Sequence, residues 1–472
     1  MFKKTYFSVA VAALLVHPFG ASAASDTDLQ AIREQIQQLK QSYEQRIAQL
    51  EQRLQSAEDT SKQAATVAVQ AQTTAQQSSV AQNAAPRAVA STGGEGAFNP
   101  AISLILGGTY GSLRQDPGIQ ATGFAMNPNM GNMGHERGFN LGETELGISA
   151  NIDANYRGVA TLALDPAGGV SVENAFVQTS ALGNGLNLKF GRYFSGLGYL
   201  NEQHAHAWDF VDQPLAYAAL WGNQLGEDGL QAKWLAPTDT FIEVGGELGR
   251  GRGFPGSDRI KNGAGSGVLF AHIGDDIGIE HSWRIGASLH KTHAADRISD
   301  AVPDLLGTAG GVSNSYSGDS QTTGLDFVWK YSPNGNISER YLKLQGEYFR
   351  RKESGLLTYD TAGANLTDSF SVIQSGWYLQ SVYQFMPRWR TGLRYDRLDP
   401  GIASVGALNV GNVISSYGFQ PTRTSLMLGY SASEFSRLRL QLARDNSRQG
   451  LPDNQLFLQY IMSLGAHGAH QY

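Results

Sequence analysis

The side chains that could bind a ligand or do chemistry are unevenly spaced along the 472 residues. His204 and His206 stand two apart in an apolar, aromatic stretch, with Glu202, Asp209 and Asp212 close by. Imidazole beside carboxylate is a donor set for Zn²⁺ and similar borderline metals. A His-x-His pair turns both rings to one side only where the chain is extended. A weak zinc site built on His204, His206 and Asp209 is therefore one expectation. A second pair, His467 and His470, ends the chain and could join such chemistry, while His290 and His293 flank the start of a long loop. The chain has no cysteine, which excludes thiolate metal sites and a disulfide scaffold. No Ser-His-Asp spacing or paired-carboxylate motif stands out. No enzymatic activity and no resident cofactor are expected.

A second constellation is made of charges rather than donors. Glu143, Glu145, Glu243 and Glu247 come early; Arg284, Lys330, Lys343, Arg390, Arg394, Arg437 and Arg439 come late. All eleven fall on the polar face of alternating segments. If those segments enclose a pore, acid lines one wall and base the other, and solutes cross a transverse field. Bases outnumber acids seven to four in this set, which favours anions mildly.

The elements that must hold these residues follow from composition and period. Glycine is abundant (56 residues), as are aromatics (20 Phe, 19 Tyr, 7 Trp), while charged residues are only 17%. A mean hydropathy of −0.27 excludes a bundle of membrane helices, and a net charge of −6 gives no reason to expect nucleic acid as a partner. Beyond residue 96, segments of about ten residues alternate apolar and polar positions, as in Leu438, Leu440 and Leu442 or Leu456, Leu458, Tyr460, Met462 and Leu464. This is the two-residue period of a sheet with one greasy face. Sixteen such segments lie near 101–110, 141–151, 156–164, 170–179, 186–194, 228–235, 240–249, 265–274, 279–291, 321–331, 339–350, 371–385, 388–397, 422–431, 435–444 and 455–465. Short turns follow the even strands. Long connections, including 111–140, 195–227, 292–320 and 351–370, follow most of the odd ones. Such one-sided asymmetry with an even strand count describes an all-β, 16-stranded antiparallel transmembrane barrel of the outer-membrane type. Trp234, Trp283, Trp329 and Trp389 sit near short turns and suit an interfacial girdle. Sixteen strands leave an aqueous lumen. The connection 195–227 is too apolar for an exposed loop and is expected to fold inward and narrow that lumen.

The N-terminal quarter reads differently. Lys3 and Lys4, an apolar Phe7–Val16 core and Ala21-Ser22-Ala23 make residues 1–23 a signal peptide. Residues 24–60 read as a periplasmic α-helical coiled coil with seam positions Leu29, Ile32, Ile36, Leu39 and Tyr43, then Ile47, Leu50, Leu54 and Ala57. Mixed Ile and Leu at the seam permit a trimer, and two steps of four around Tyr43 form a stutter. Residues 61–96 form a low-complexity linker, and 97–472 form the barrel.

The run Gly191–Phe210, the ending Leu464–Tyr472 and the opening Phe98–Ser103 resemble a proteobacterial family of porin-like outer-membrane proteins, often described as zinc-regulated or TonB-dependent-receptor-like. The resemblance covers about 97–472, and the helical extension matches porins that carry one. It implies uptake across the outer membrane, with 195–227 as the constriction loop common to sixteen-stranded porins. The sequence departs from true TonB-dependent receptors: no plug of over a hundred residues precedes the barrel, which is too short for 22 strands. The resulting expectation is a passive channel for small hydrophilic solutes or ions, a homotrimer through barrel and coiled coil. It would sit in lipid and lipopolysaccharide with its helix reaching towards peptidoglycan or a periplasmic partner. The alternative expectation is a zinc-binding uptake receptor that uses the His-bearing loop.

Overall fold

A computed structural model describes residues 100–465, apart from 116–120, 128–135, 165–167, 181, 258–261 and 300–311, together with Gln37. The expected signal peptide, coiled coil and linker lie outside the described residues, as do His467 and His470.

The alternation becomes sixteen staves. They are β1 (Ala101–Leu113), β2 (Thr144–Asn151, prolonged upstream by Gly138–Leu141), β3 (Tyr156–Leu164), β4 (Val170–Thr179), β5 (Leu186–Phe194), β6 (Gly226–Leu235), β7 (Phe241–Gly249) and β8 (Ser266–Ile277). There follow β9 (His281–Ser299), β10 (Asn314–Tyr331), β11 (Tyr341–Tyr359), β12 (Leu366–Met386), β13 (Trp389–Asp399), β14 (Thr422–Ser433), β15 (Ser436–Asn446) and β16 (Asp453–Gly465). Each pairs antiparallel with its neighbour in sequence, and β16 returns to β1 from Ser103↔Gly465 to Leu113↔Gln455. The sheet has no free edge, which satisfies every ladder group without water.

Register decides which side chains meet lipid and which meet the lumen. Leu426 faces Leu442, and Leu428 faces Leu440, which faces Leu458. This apolar ladder is exposed: Leu426 is 52% and Leu458 51% accessible. One residue away Arg439, Gln441 and Phe457 point inward and are buried. Near the short turns, Trp283 lies opposite Trp329, and Trp389 meets Tyr430 in a tilted contact at 4.8 Å.

Two expectations about connections need correction. β9 to β12 run for 19, 18, 19 and 21 residues, so most of 292–320 and 351–370 is strand. The outward set on β10 changes from Phe327 and Leu325 to Thr323, Gln321 and Asp319. That change ends the greasy belt but not the hydrogen-bonded ladder, so these hairpins continue beyond the belt. The connection 195–227 contains a helix, α1 (Leu215–Trp221), capped by Gly222 at φ 65°.

Candidate functional site

The connection 195–227 folds into the barrel. Leu197, Tyr199, Leu200, Trp208, Phe210 and all of α1 are buried. α1 packs on β11, β12 and β13, with Trp221 and Tyr217 edge-on to Phe349 at 5.6 and 5.2 Å. Phe270 of β8 fills the space left by two glycines, Gly196 of the loop and Gly245 of β7. A Cβ at either position would sit within 2.5 Å of its ring. Phe124, from the first long connection, joins the same apolar cluster.

Polar anchors hold the loop around the wall. Glu347 of β11 accepts four hydrogen bonds: from Tyr199 N (3.0 Å), Leu200 N (3.1 Å), Tyr217 OH (2.9 Å) and Tyr378 OH (2.6 Å). Glu247 accepts from Gly196 N at 2.8 Å, and Arg284 donates to Gly198 O at 3.0 Å. Asp212 pairs with Arg394 and Arg423 at 2.8 Å each and accepts from Gln441 at 2.8 Å. Arg437 and Arg439 donate to the carbonyls of His206 and Trp208. Asp209 pairs with Lys343 and with Arg390. Burial pushes the Asp209 carboxyl up, but these two cations outweigh it and hold it at about 2. Likewise burial raises Glu202, while Lys233 and Lys189 bring it down to about 2.

Most of the eleven charges expected to line a pore therefore also fasten the loop. Glu243 instead pairs with His272 at 3.1 Å and Lys233 at 3.8 Å within the wall. Below the loop, on the short-turn side, lies a cavity of about 990 Å³. Lys330, Lys343, Arg390, Arg437 and Asp209 line its deep end, while Asp276, Glu280 and Glu434 sit towards its mouth.

The expected metal set does not assemble as a unit. His204 and His206 stack at 5.7 Å, and both reach Glu145, at 3.3 and 3.0 Å. Asp209 is turned away to Lys343 and Arg390, because the chain bends through a short 3₁₀ turn at Ala205–Ala207 and is not extended there. In its place stand Glu143, Glu145 and Glu173, which with His204 bring one donor atom each to within 4.8 Å of one another. Glu173, Glu347, Asp396 and Arg423 were not singled out from sequence, although the last three occupy inward positions that strand alternation marks as polar.

No family model matches the chain. An uncharacterized protein of Aquifex aeolicus (strain VF5) is 28% identical over 409 residues, 80% of each chain. Among solved structures, OprB of Pseudomonas putida is 14% identical with a TM-score of 0.48, covering 78% of this chain and 94% of its own. The anion-selective porin from Comamonas acidovorans is 12% identical with a TM-score of 0.46, covering 78% and 99%. The outer membrane channel DcaP of Acinetobacter baumannii is 11% identical with a TM-score of 0.45, covering 80% and 100%. The architecture of this chain is a porin-like, sixteen-stranded closed barrel, read from its own strand pairing.

Proposed function

We propose that this protein is an outer-membrane channel for passive passage of small hydrophilic solutes, with loop 195–227 as its constriction. The observation that carries this reading is a closed barrel, greasy outside and polar inside, whose lumen holds a fastened loop above a cavity of about 990 Å³. A greasy outer belt is stable only in hydrocarbon, and a polar lumen only with water. Four cationic side chains at the deep end of the cavity, against one paired acid, favour anions there. Most of the eleven wall charges both set this preference and position the loop. Association of three copies through barrel and coiled coil, contact with lipopolysaccharide, and a reach of the N-terminal helix towards peptidoglycan or a periplasmic partner belong to the same reading. No catalytic step is assigned. Reversal potentials across a salt gradient test the preference. A potential displaced towards the anion is expected, and cation selectivity would overturn it.

A further inference from the structure

We propose that Glu143, Glu145, Glu173 and His204 form a site for one divalent cation of the borderline class, which staples the inward loop to the acidic wall. The inference does not depend on solute passage. Two donors on a common ion at about 2.1 Å can be at most about 4.2 Å apart. Four donor atoms already within 4.8 Å of one another need only a small closure to share one. Three carboxylates and one imidazole suit Zn²⁺ or a neighbour in the first transition row.

Two of the carboxylates owe their direction to departures from regular pairing. Between β3 and β4 the register passes from Thr161↔Asn174 to Leu162↔Val172, so Glu173 is an extra residue. Between β1 and β2 it passes from Gly108↔Leu141 to Ile105↔Glu145, one residue longer on the β2 side, and Glu143 lies in that bulge. Gly107 makes room for it: a Cβ there would sit 2.3 Å from the Glu143 carbonyl oxygen. Bulges of this kind re-aim side chains, and here both bring a carboxylate to one point.

Independent of this clustering, Glu143 Oε2 is buried and has no hydrogen-bond partner, while its sister Oε1 accepts from Ala205 N at 3.0 Å. A buried carboxylate oxygen left without a donor is costly until a cation, or a proton shared with the neighbouring Glu145 carboxyl, satisfies it. Arg439 feels the Glu143 charge, yet it makes no hydrogen bond to that oxygen and donates instead to Trp208 O. The imidazole is also oriented for an ion. His204 Nδ1 faces Glu173 at 2.9 Å and Glu145 at 3.3 Å, and Nε2 lies 2.9 Å from the side-chain amide of Asn174. With that amide turned, its oxygen accepts Nε2–H, the proton on Nδ1 is released, and the Nδ1 lone pair is free for the metal. The side chains of His204 and Glu173 are each 21% exposed, which leaves a way in from the lumen.

The test is calorimetric titration of the full-length, untagged protein with Zn²⁺ alone. Three variants are compared with it: Glu173→Gln, His204→Asn, and the paired change His467→Asn with His470→Asn. One saturable site is expected, weakened at least about ten-fold by either of the first two changes and unaltered by the tail change. No saturable binding would overturn the proposal. So would binding that survives both site variants or disappears with the tail histidines. Far-ultraviolet circular dichroism on every variant shows that the barrel has folded, and its unit conductance is recorded beside it. The conductance separates the two readings: a silent protein that binds Zn²⁺ refutes the channel alone, and a conducting protein that does not bind refutes the site alone.

Discussion

Asp212→Asn probes the fastening of the constriction. The Asp212 carboxylate is 1% exposed and meets two guanidinium groups, Arg394 and Arg423, themselves 1% and 2% exposed. An asparagine oxygen can still accept from Arg394 and Gln441. Its amide then points at Arg423 Nη1, donor against donor, across a 2.8 Å gap. Two buried cations are left with Asp396, which already pairs with Arg394 at 2.9 Å and lies 3.8 Å from Arg423, and with the more distant Asp445, 3.9 Å from Arg423. Breaking a buried pair by removing one charge costs about 3–5 kcal/mol. The barrel ladder does not include Asp212, so this loss falls on the segment around 208–214. At about 1.4 kcal/mol per factor of ten, the detached population of that segment rises by roughly two to three and a half powers of ten. Single-channel records should then show added current noise and short-lived substates, with the barrel still folded. Traces indistinguishable from wild type would refute the idea that this ion-pair cluster holds the loop.

Other consequences are open to direct measurement. Lys330→Glu exchanges one charge at the deep end of the cavity for its opposite. After screening, such a change is worth about 1 kcal/mol per unit charge, about 2 kcal/mol for the two units exchanged, so the anion-to-cation permeability ratio should fall at least about ten-fold by reversal potential. Asp209 is held at about 2, below its ordinary value of 3.8. Its contribution to loop attachment is thus fully present above about pH 4 and is lost as pH falls through about 2; open-channel noise should stay flat from pH 7 to 4 and rise below. Leu325 is 59% exposed on β10, four residues from Trp329, about 10 Å into the greasy belt at the usual rise and tilt. Leu325→Arg, at the last apolar outward position of β10, should destabilise the barrel in bilayers by about 1–2 kcal/mol, between the interfacial and midplane costs, read by denaturant titration.

The barrel was largely legible because its two faces obey different solvents. Leu438, Leu440 and Leu442 announce lipid on one side, and Arg437 and Arg439 announce water on the other. The inward fold of 195–227 was legible for a related reason: Trp208, Phe210 and Leu215 cannot remain exposed. What the pattern did not carry was the extent of β9 to β12, since beyond the lipid belt the alternation no longer separates apolar from polar. Partner choice inside the lumen was equally hidden. Asp209 is five residues from His204, yet it pairs with β11 and β13, whereas Glu173 is thirty-one residues away and touches the ring. A one-residue bulge decides the second contact, and no local spacing marks it.

The central claim is passage of solutes through the lumen. Recording single channels of the untagged, full-length protein in a planar bilayer tests it most directly. The account predicts discrete steps of steady, ohmic conductance in simple salt. Correctly folded barrels, inserted in the bilayer yet electrically silent, would contradict it.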